Sequence, residues 1–191
     1  MSDTYEADSA LARMVTSGAG ALGITAGTAL GVIIAGPPGA IVGAAIGALL
    51  QDGMKAVAGD VAERFTAQTE QERMGSVYVL AQSQIVKRLN EGQQPRSESF
   101  FRPRERKRAK KLRSEADELL EGTFLAARTA HEQRKVELLA NFYTNIVFRD
   151  DLDSSHANYI LSLMELLTYR QLVSVLIIGN GNQHLLLIPL L

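Results

Sequence analysis

From Met14 to Gln51 the chain carries no charged residue over 38 positions, and after that apolar and charged positions are interleaved to the end. Gly36-Pro37-Pro38-Gly39 interrupts the uncharged run with a turn that no helix passes unbroken, so the pattern predicts helix, turn, helix. From Ala56 to Asn90 the period is again helical: Val57, Val61 and Phe65 repeat every four residues, and Val77, Leu80, Ile85 and Leu89 continue in phase. Gly92 supplies a stop, and residues 92–103 (GQQPRSESFFRP) read as a polar, proline-bounded linker. Ser114 is placed as an N-cap before Glu115, Asp117 and Glu118, where the helix dipole favours acids. One helix is expected from there through Leu119, Leu120, Phe124, Ala127, Leu138, Leu139, Phe142 and Ile146, ending before the acidic loop 149–155. Ser155 is expected to cap a helix carrying Tyr159, Leu163, Leu166 and Leu167, and Thr168 with Gln171 forms a capping-box pattern for a further short one. The tail, VSVLIIGNGNQHLLLIPLL, reads as two short apolar strands around Gly179–Asn182, a β-hairpin.

Two glycine patterns overlap in residues 18–31. Gly18, Gly20 and Gly23 spell G-x-G-x-x-G, which in a nucleotide-binding protein follows a strand, opens a helix and precedes an acidic residue about 20 positions on. Here no strand pattern precedes it, and the next acid is Asp52. No Gly-Lys-Ser/Thr occurs either. The other pattern recurs: Gly23, Gly27 and Gly31 form one stripe at four-residue spacing, and Gly39, Gly43 and Gly47 a second. A stripe of glycines lets a second backbone approach closely, which is what drives association in lipid. In water each helical glycine costs about 1 kcal/mol relative to alanine.

The first arm, residues 14–35, would be about 33 Å long as a helix, against a hydrocarbon core of about 30 Å. The second must run to about Gly59 to match it, taking in Asp52 and Lys55, which could pair or line water. Residues 14–50 resemble the glycine-zipper hairpins of bacterial membrane proteins and pore-lining helices. That resemblance implies helix packing in a membrane oligomer.

Net charge is −1, but its distribution is uneven. Residues 1–53 hold one base and four acids, residues 54–113 fourteen bases and seven acids, and residues 114–191 five bases and ten acids. The basic excess peaks in RPRERKRAKKLR (102–113): Arg102, Arg104, Arg106, Lys107, Arg108, Lys110, Lys111 and Arg113. Beyond a solvated face, this run suits an anionic membrane, with Phe100 and Phe101 dipping into the interface, or a nucleic-acid backbone. Beside a membrane segment it marks the cytoplasmic side. The first twelve residues, MSDTYEADSALA, are acidic, carry no Lys or Arg and are unlike a cleaved signal. The absence of cysteine excludes disulfides, thiolate metal sites and a cysteine nucleophile.

Catalytic candidates are few. His131, His156 and His184 form no metal-binding spacing, and Asp150, Asp151 and Asp153 lack the glycine and bidentate glutamate of a calcium loop. Arg149 and His156, separated by six residues, are similar to the R-x(4–6)-H motif of HEPN-type ribonucleases. In those all-helical proteins the resemblance implies His as acid/base and Arg as phosphate ligand.

The expected fold is mainly α: an acidic N-terminal segment (1–13), a glycine-zipper transmembrane hairpin (14–59), a long connecting helix (60–91), a linker with the polybasic segment (92–113), and a helical cytoplasmic domain (114–191) with a terminal β-hairpin. The expected function is a homo-oligomeric protein of a bacterial-type inner membrane that forms a pore or anchor, in its sharpest form a depolarising defence or toxin-type effector. The alternative is a soluble nucleic-acid-binding protein or HEPN-like ribonuclease using the basic run and Arg149/His156. Lipid, further copies of itself and a protein partner at the apolar C-terminus are the expected partners. Nucleic acid is disfavoured, and no cofactor or metal is expected.

Overall fold

The computed structural model describes residues 44–64, 67–103 and 113–181. The described residues are mainly helical. They form α1 (Ala44–Arg64), α2 (Gln68–Asn90), a single turn α3 (Glu98–Phe101), α4 (Glu115–Thr129), α5 (Arg134–Val147), α6 (Ser154–Leu166) and α7 (Tyr169–Gly181). Gly23, Gly27, Gly31, Gly39 and Gly43 lie outside the described residues, as do the segment 104–112 and the tail from residue 182.

The periodicity is converted into burial as expected for amphipathic helices. On α1, Leu50, Met54, Val57, Ala58 and Val61 are buried against α4, and on α2 Met74, Val77, Tyr78, Ala81 and Ile85 are buried. α4 lies at the centre and touches α1, α2, α5 and α6. Its start is built as the sequence predicts. Ser114 Oγ accepts from the Asp117 amide at 3.1 Å, and Asp117 Oδ2 accepts from the Ser114 amide at 3.0 Å, closing a capping box. Gly92 also acts as expected. With φ at 82°, it lets the Gln93 amide reach Arg88 O and its own amide reach Leu89 O, a Schellman ending for α2. Thr168 and Gln171 are bonded as a capping box at the start of α7.

Four expectations are corrected. The helix expected over residues 56–90 is two helices, α1 ending at Arg64 and α2 beginning at Gln68. The helix expected over residues 114–146 is likewise two. Extended backbone at Ala130 ends α4, and α5 starts at Arg134, so the apolar face of α5 folds back onto α2 and α4. No glycine or proline marks that reversal; tertiary burial imposes it. Asp153, not Ser155, caps α6, accepting from the His156 amide at 2.8 Å. The first arm of the expected terminal hairpin, residues 173–178, is helical within α7. Its β-branched, alternating pattern is overridden by the seating of Leu172 and Leu176, both buried.

No described helix is long and apolar enough to cross a membrane. From residue 44 on, the expected membrane hairpin is part of α1, and from Leu50 on it is built into the core.

Side-chain pairs fix the direction of α1, α2, α4, α5 and α6. Asp117 lies against Gly53 and Glu121 bonds Arg64, so α1 and α4 run in the same sense. Glu115 bonds Ser154 and Gly122 meets Leu161, so α6 joins them. Arg128 bonds Glu70, and Lys135 bonds the Glu165 carbonyl, so α2 and α5 run the other way. Gln84 to Asn141 and Arg88 to Asn145 then pair α2 with α5 in parallel. The result is an up-and-down bundle. The start of α1, residues 91–103 with Arg113 and Ser114, and the α5–α6 loop lie at one end. The α1–α2 turn, the α4–α5 turn and the α6–α7 junction lie at the other.

Candidate functional site

The shared end gathers several of the described candidate residues, Phe100, Phe101, Arg102, Arg149 and His156 among them. The linker is held down by Arg96. Its amide bonds Val147 O at 2.8 Å, one guanidinium nitrogen bonds Leu152 O at 2.7 Å, and the guanidinium lies 4.1 Å from the centre of the Phe100 ring. Phe100 and Phe101 follow in α3, packed edge to face at 5.1 Å against α1 and α4. Both rings are buried, with 3% and 4% exposure, so neither is presented to a lipid interface in this fold. They are the hydrophobic foot on which the linker stands. Arg102 is exposed and pairs with Glu98 at 2.7 Å.

The other end of the polybasic run is equally fixed. Arg113 pairs with both Asp60 of α1 and Glu121 of α4, and Arg64 pairs with the same two carboxylates at 2.6 and 2.8 Å. The Asp60, Glu121 and Arg113 side chains are each about a fifth exposed (22%, 21% and 21%). The four charges neutralise one another and tie α1 to α4. Arg113 is therefore a clamp within the domain rather than a free cation of the basic run. Arg104, Arg106, Lys107, Arg108, Lys110 and Lys111 lie outside the described residues; Arg113 reaches from the start of α4 to Asp60, one turn before the end of α1.

Asp52 is exposed and Lys55 half-buried on α1, with no ion pair between them. Gly47, the described member of the second glycine stripe, has open space around it among the described residues: a β-carbon there would meet none of them within 4 Å.

In the α5–α6 loop each member of the Arg/His pair has its own acid. Arg149 donates through Nε to Asp151 at 2.9 Å and through a second nitrogen to the same carboxylate. That bond lifts the guanidinium further above its ordinary value and holds the Asp151 carboxyl below the usual carboxylate range. His156 Nδ1 lies 2.9 Å from Asp153, whose carboxyl is lowered chiefly by the bond from the His156 amide. A phosphate would have to displace these carboxylates. Among the described residues no three His, Asp or Glu side chains are grouped to hold a metal ion.

Sequence reasoning passed over Asp60, Arg64 and Glu121 as the partners of Arg113, and Arg96 as the anchor of the linker. Arg113 lies 53 residues from Asp60, Arg64 57 from Glu121 and Arg96 56 from Leu152, and only the packed bundle brings these together. No family model, no curated protein and no solved structure matches this chain.

Proposed function

We propose that the chain is a homo-oligomeric membrane protein. On this reading the glycine-spaced N-terminal segment packs against its copies in the bilayer, and the helical domain stands at the cytoplasmic face of a bacterial-type inner membrane. The observation that carries this reading is the sharing of one end. The uncharged segment joins the domain at the start of α1, and the polybasic run leaves α3 and enters α4 at that same end, with Phe100 and Phe101 packed against α1 and α4. A bilayer entered by the first would meet the cations of the second, each contributing about 1 kcal/mol near anionic lipid.

The burial of Leu50, Met54 and Val57 sharpens the proposal. With those residues in the core, the second arm has only about 15 Å of helix left for lipid, half a bilayer. A full second crossing, to about Gly59, requires α1 to leave the core. The described fold then corresponds to a state that withholds the second arm, and pore opening is the release of α1. The ribonuclease reading lacks comparable support, because Arg149 and His156 are each bonded to an acid of their own loop.

Alkaline carbonate extraction of bacterial membranes carrying the full chain, beside a version lacking residues 1–43, tests the reading. The full chain is expected in the pellet and the truncation in the supernatant. Gly27→Leu with Gly43→Leu is then expected to abolish dye leakage from anionic vesicles. Release of the full chain by carbonate would rule the membrane reading out.

A further inference from the structure

Helix α6 is apolar on two sides. Ala157, Leu161 and Met164 form its buried side. Tyr159, Leu163 and Leu166, spaced by four and three residues, fall on the opposite side and are 65%, 37% and 81% exposed. α7 adds Val175, Ile177 and Ile178, all exposed. A helical stripe of this kind is the surface that another helix covers. Across both helices, residues 154–181, the only Asp, Glu, Lys or Arg residues are Glu165 and Arg170. They flank the α6–α7 junction, both are exposed, and neither makes an ion pair with a described residue. The nearby Lys135 directs its ammonium to the Glu165 backbone carbonyl, at 3.1 Å.

We propose that a second copy of the chain covers this stripe, the α6–α7 junction of each packing on that of the other about a two-fold axis. Charge selects this occupant. An anionic membrane would be met by an excess of cations, and a highly charged protein partner by one sign. Here the signs are mixed beside the apolar stripe. Glu165 and Arg170 belong to its own helices, and Glu132, Arg134 and Lys135 reach the junction from the α4–α5 turn and the start of α5. A two-fold axis between Glu165 and Arg170 sets each Glu165 opposite the Arg170 of the second copy, twice over, and buries Leu166 at the centre. The contact needs only the described domain and stands whether or not the N-terminal segment enters lipid.

The chain has no cysteine, so a single introduced thiol reports the contact cleanly. The full chain carrying Leu166→Cys, oxidised mildly in the cells that express it, is expected to form a disulfide-linked dimer, whereas Lys87→Cys, at an exposed position of α2, forms none. Adding Glu165→Arg lowers the cross-linked fraction roughly fivefold or more, and further addition of Arg170→Glu restores it. Circular dichroism confirms that the variants are folded. Gly27→Leu with Gly43→Leu leaves the cross-link in place, separating this contact from any packing of the glycine stripes. The proposal is overturned if the introduced thiol forms no dimer, whether because bilayer shields it from a water-soluble maleimide or because it labels freely. Failure of the double charge reversal to restore the dimer overturns it as well.

Discussion

Gly53 of α1 packs directly against the carboxylate of Asp117 in α4, so that a β-carbon at position 53 would collide with Oδ1. That carboxylate cannot swing away freely, because its other oxygen closes the capping box on the Ser114 amide. Gly53→Ala is therefore expected to destabilise the domain by about 1 kcal/mol, the overpacking outweighing the gain in helix propensity. Gly47→Ala, with open space around it among the described residues, is expected to stabilise the domain by up to about 1 kcal/mol. Urea midpoints of the two variants should move in opposite directions.

Arg113 bridges two helices through Asp60 and Glu121. Arg113→Met removes one guanidinium from those partly buried carboxylates and is expected to cost about 1–2 kcal/mol. The loss should shrink in 1 M salt, which weakens the wild-type cluster. Equal losses at low and high salt would show that packing, not charge, is what Arg113 contributes.

Tyr78 is buried with its hydroxyl unpartnered, and Tyr143 is buried beside Asp117. Burial pushes both hydroxyls well above the ordinary value of 10.0. Because the folded state holds the proton more tightly, this contribution to stability is complete below pH 10 and is lost as pH rises beyond it. Phenolate absorbance should show two of the five tyrosines silent near pH 11 until the chain unfolds. Tyr78→Phe removes an unsatisfied polar group at constant shape and is expected to raise stability by about 1 kcal/mol, read from the urea midpoint.

Asp153 caps α6 through the His156 amide, and its carboxyl is held below the usual range by that bond. The sign here is opposite: the cap is present above the unfolded carboxylate value and is lost as pH falls through the lower folded one. Asp153→Ala should speed amide exchange in the first turn of α6 at pH 6 and leave α4 unchanged. His156→Ala, which keeps the backbone donor, should have the smaller effect on that turn.

Where a signal is local, the sequence carried it. Ser114 with Asp117, Gly92 and the Thr168–Gln171 pair are each legible within a few residues, and each is realised. The reversal at Ala130 has no such local mark. Neither does the helical state of residues 173–178, whose β-branched alternation belongs to a helix because Leu172 and Leu176 are buried. Phe100 and Phe101, beside eight cations, read as interfacial anchors. Their burial depends on a cleft between α1 and α4 that local pattern does not encode. Of the site, the position of the basic segment was visible from composition, and the clamp of Asp60, Arg64 and Glu121 around Arg113 was not.

The bundle has a front and a back. α1 and the cationic linker start from one end, and Leu166 lies at the other, a helix of thirteen residues or about 20 Å away. A molecule held by its front keeps its back free, so attachment and pairing need not compete for the same atoms. Tethering at the front also confines every copy to a plane with its back held at a common height. Encounters between backs then happen in two dimensions rather than three, at a far higher effective concentration. A contact too weak to hold dilute molecules together could, on such a surface, become the rule.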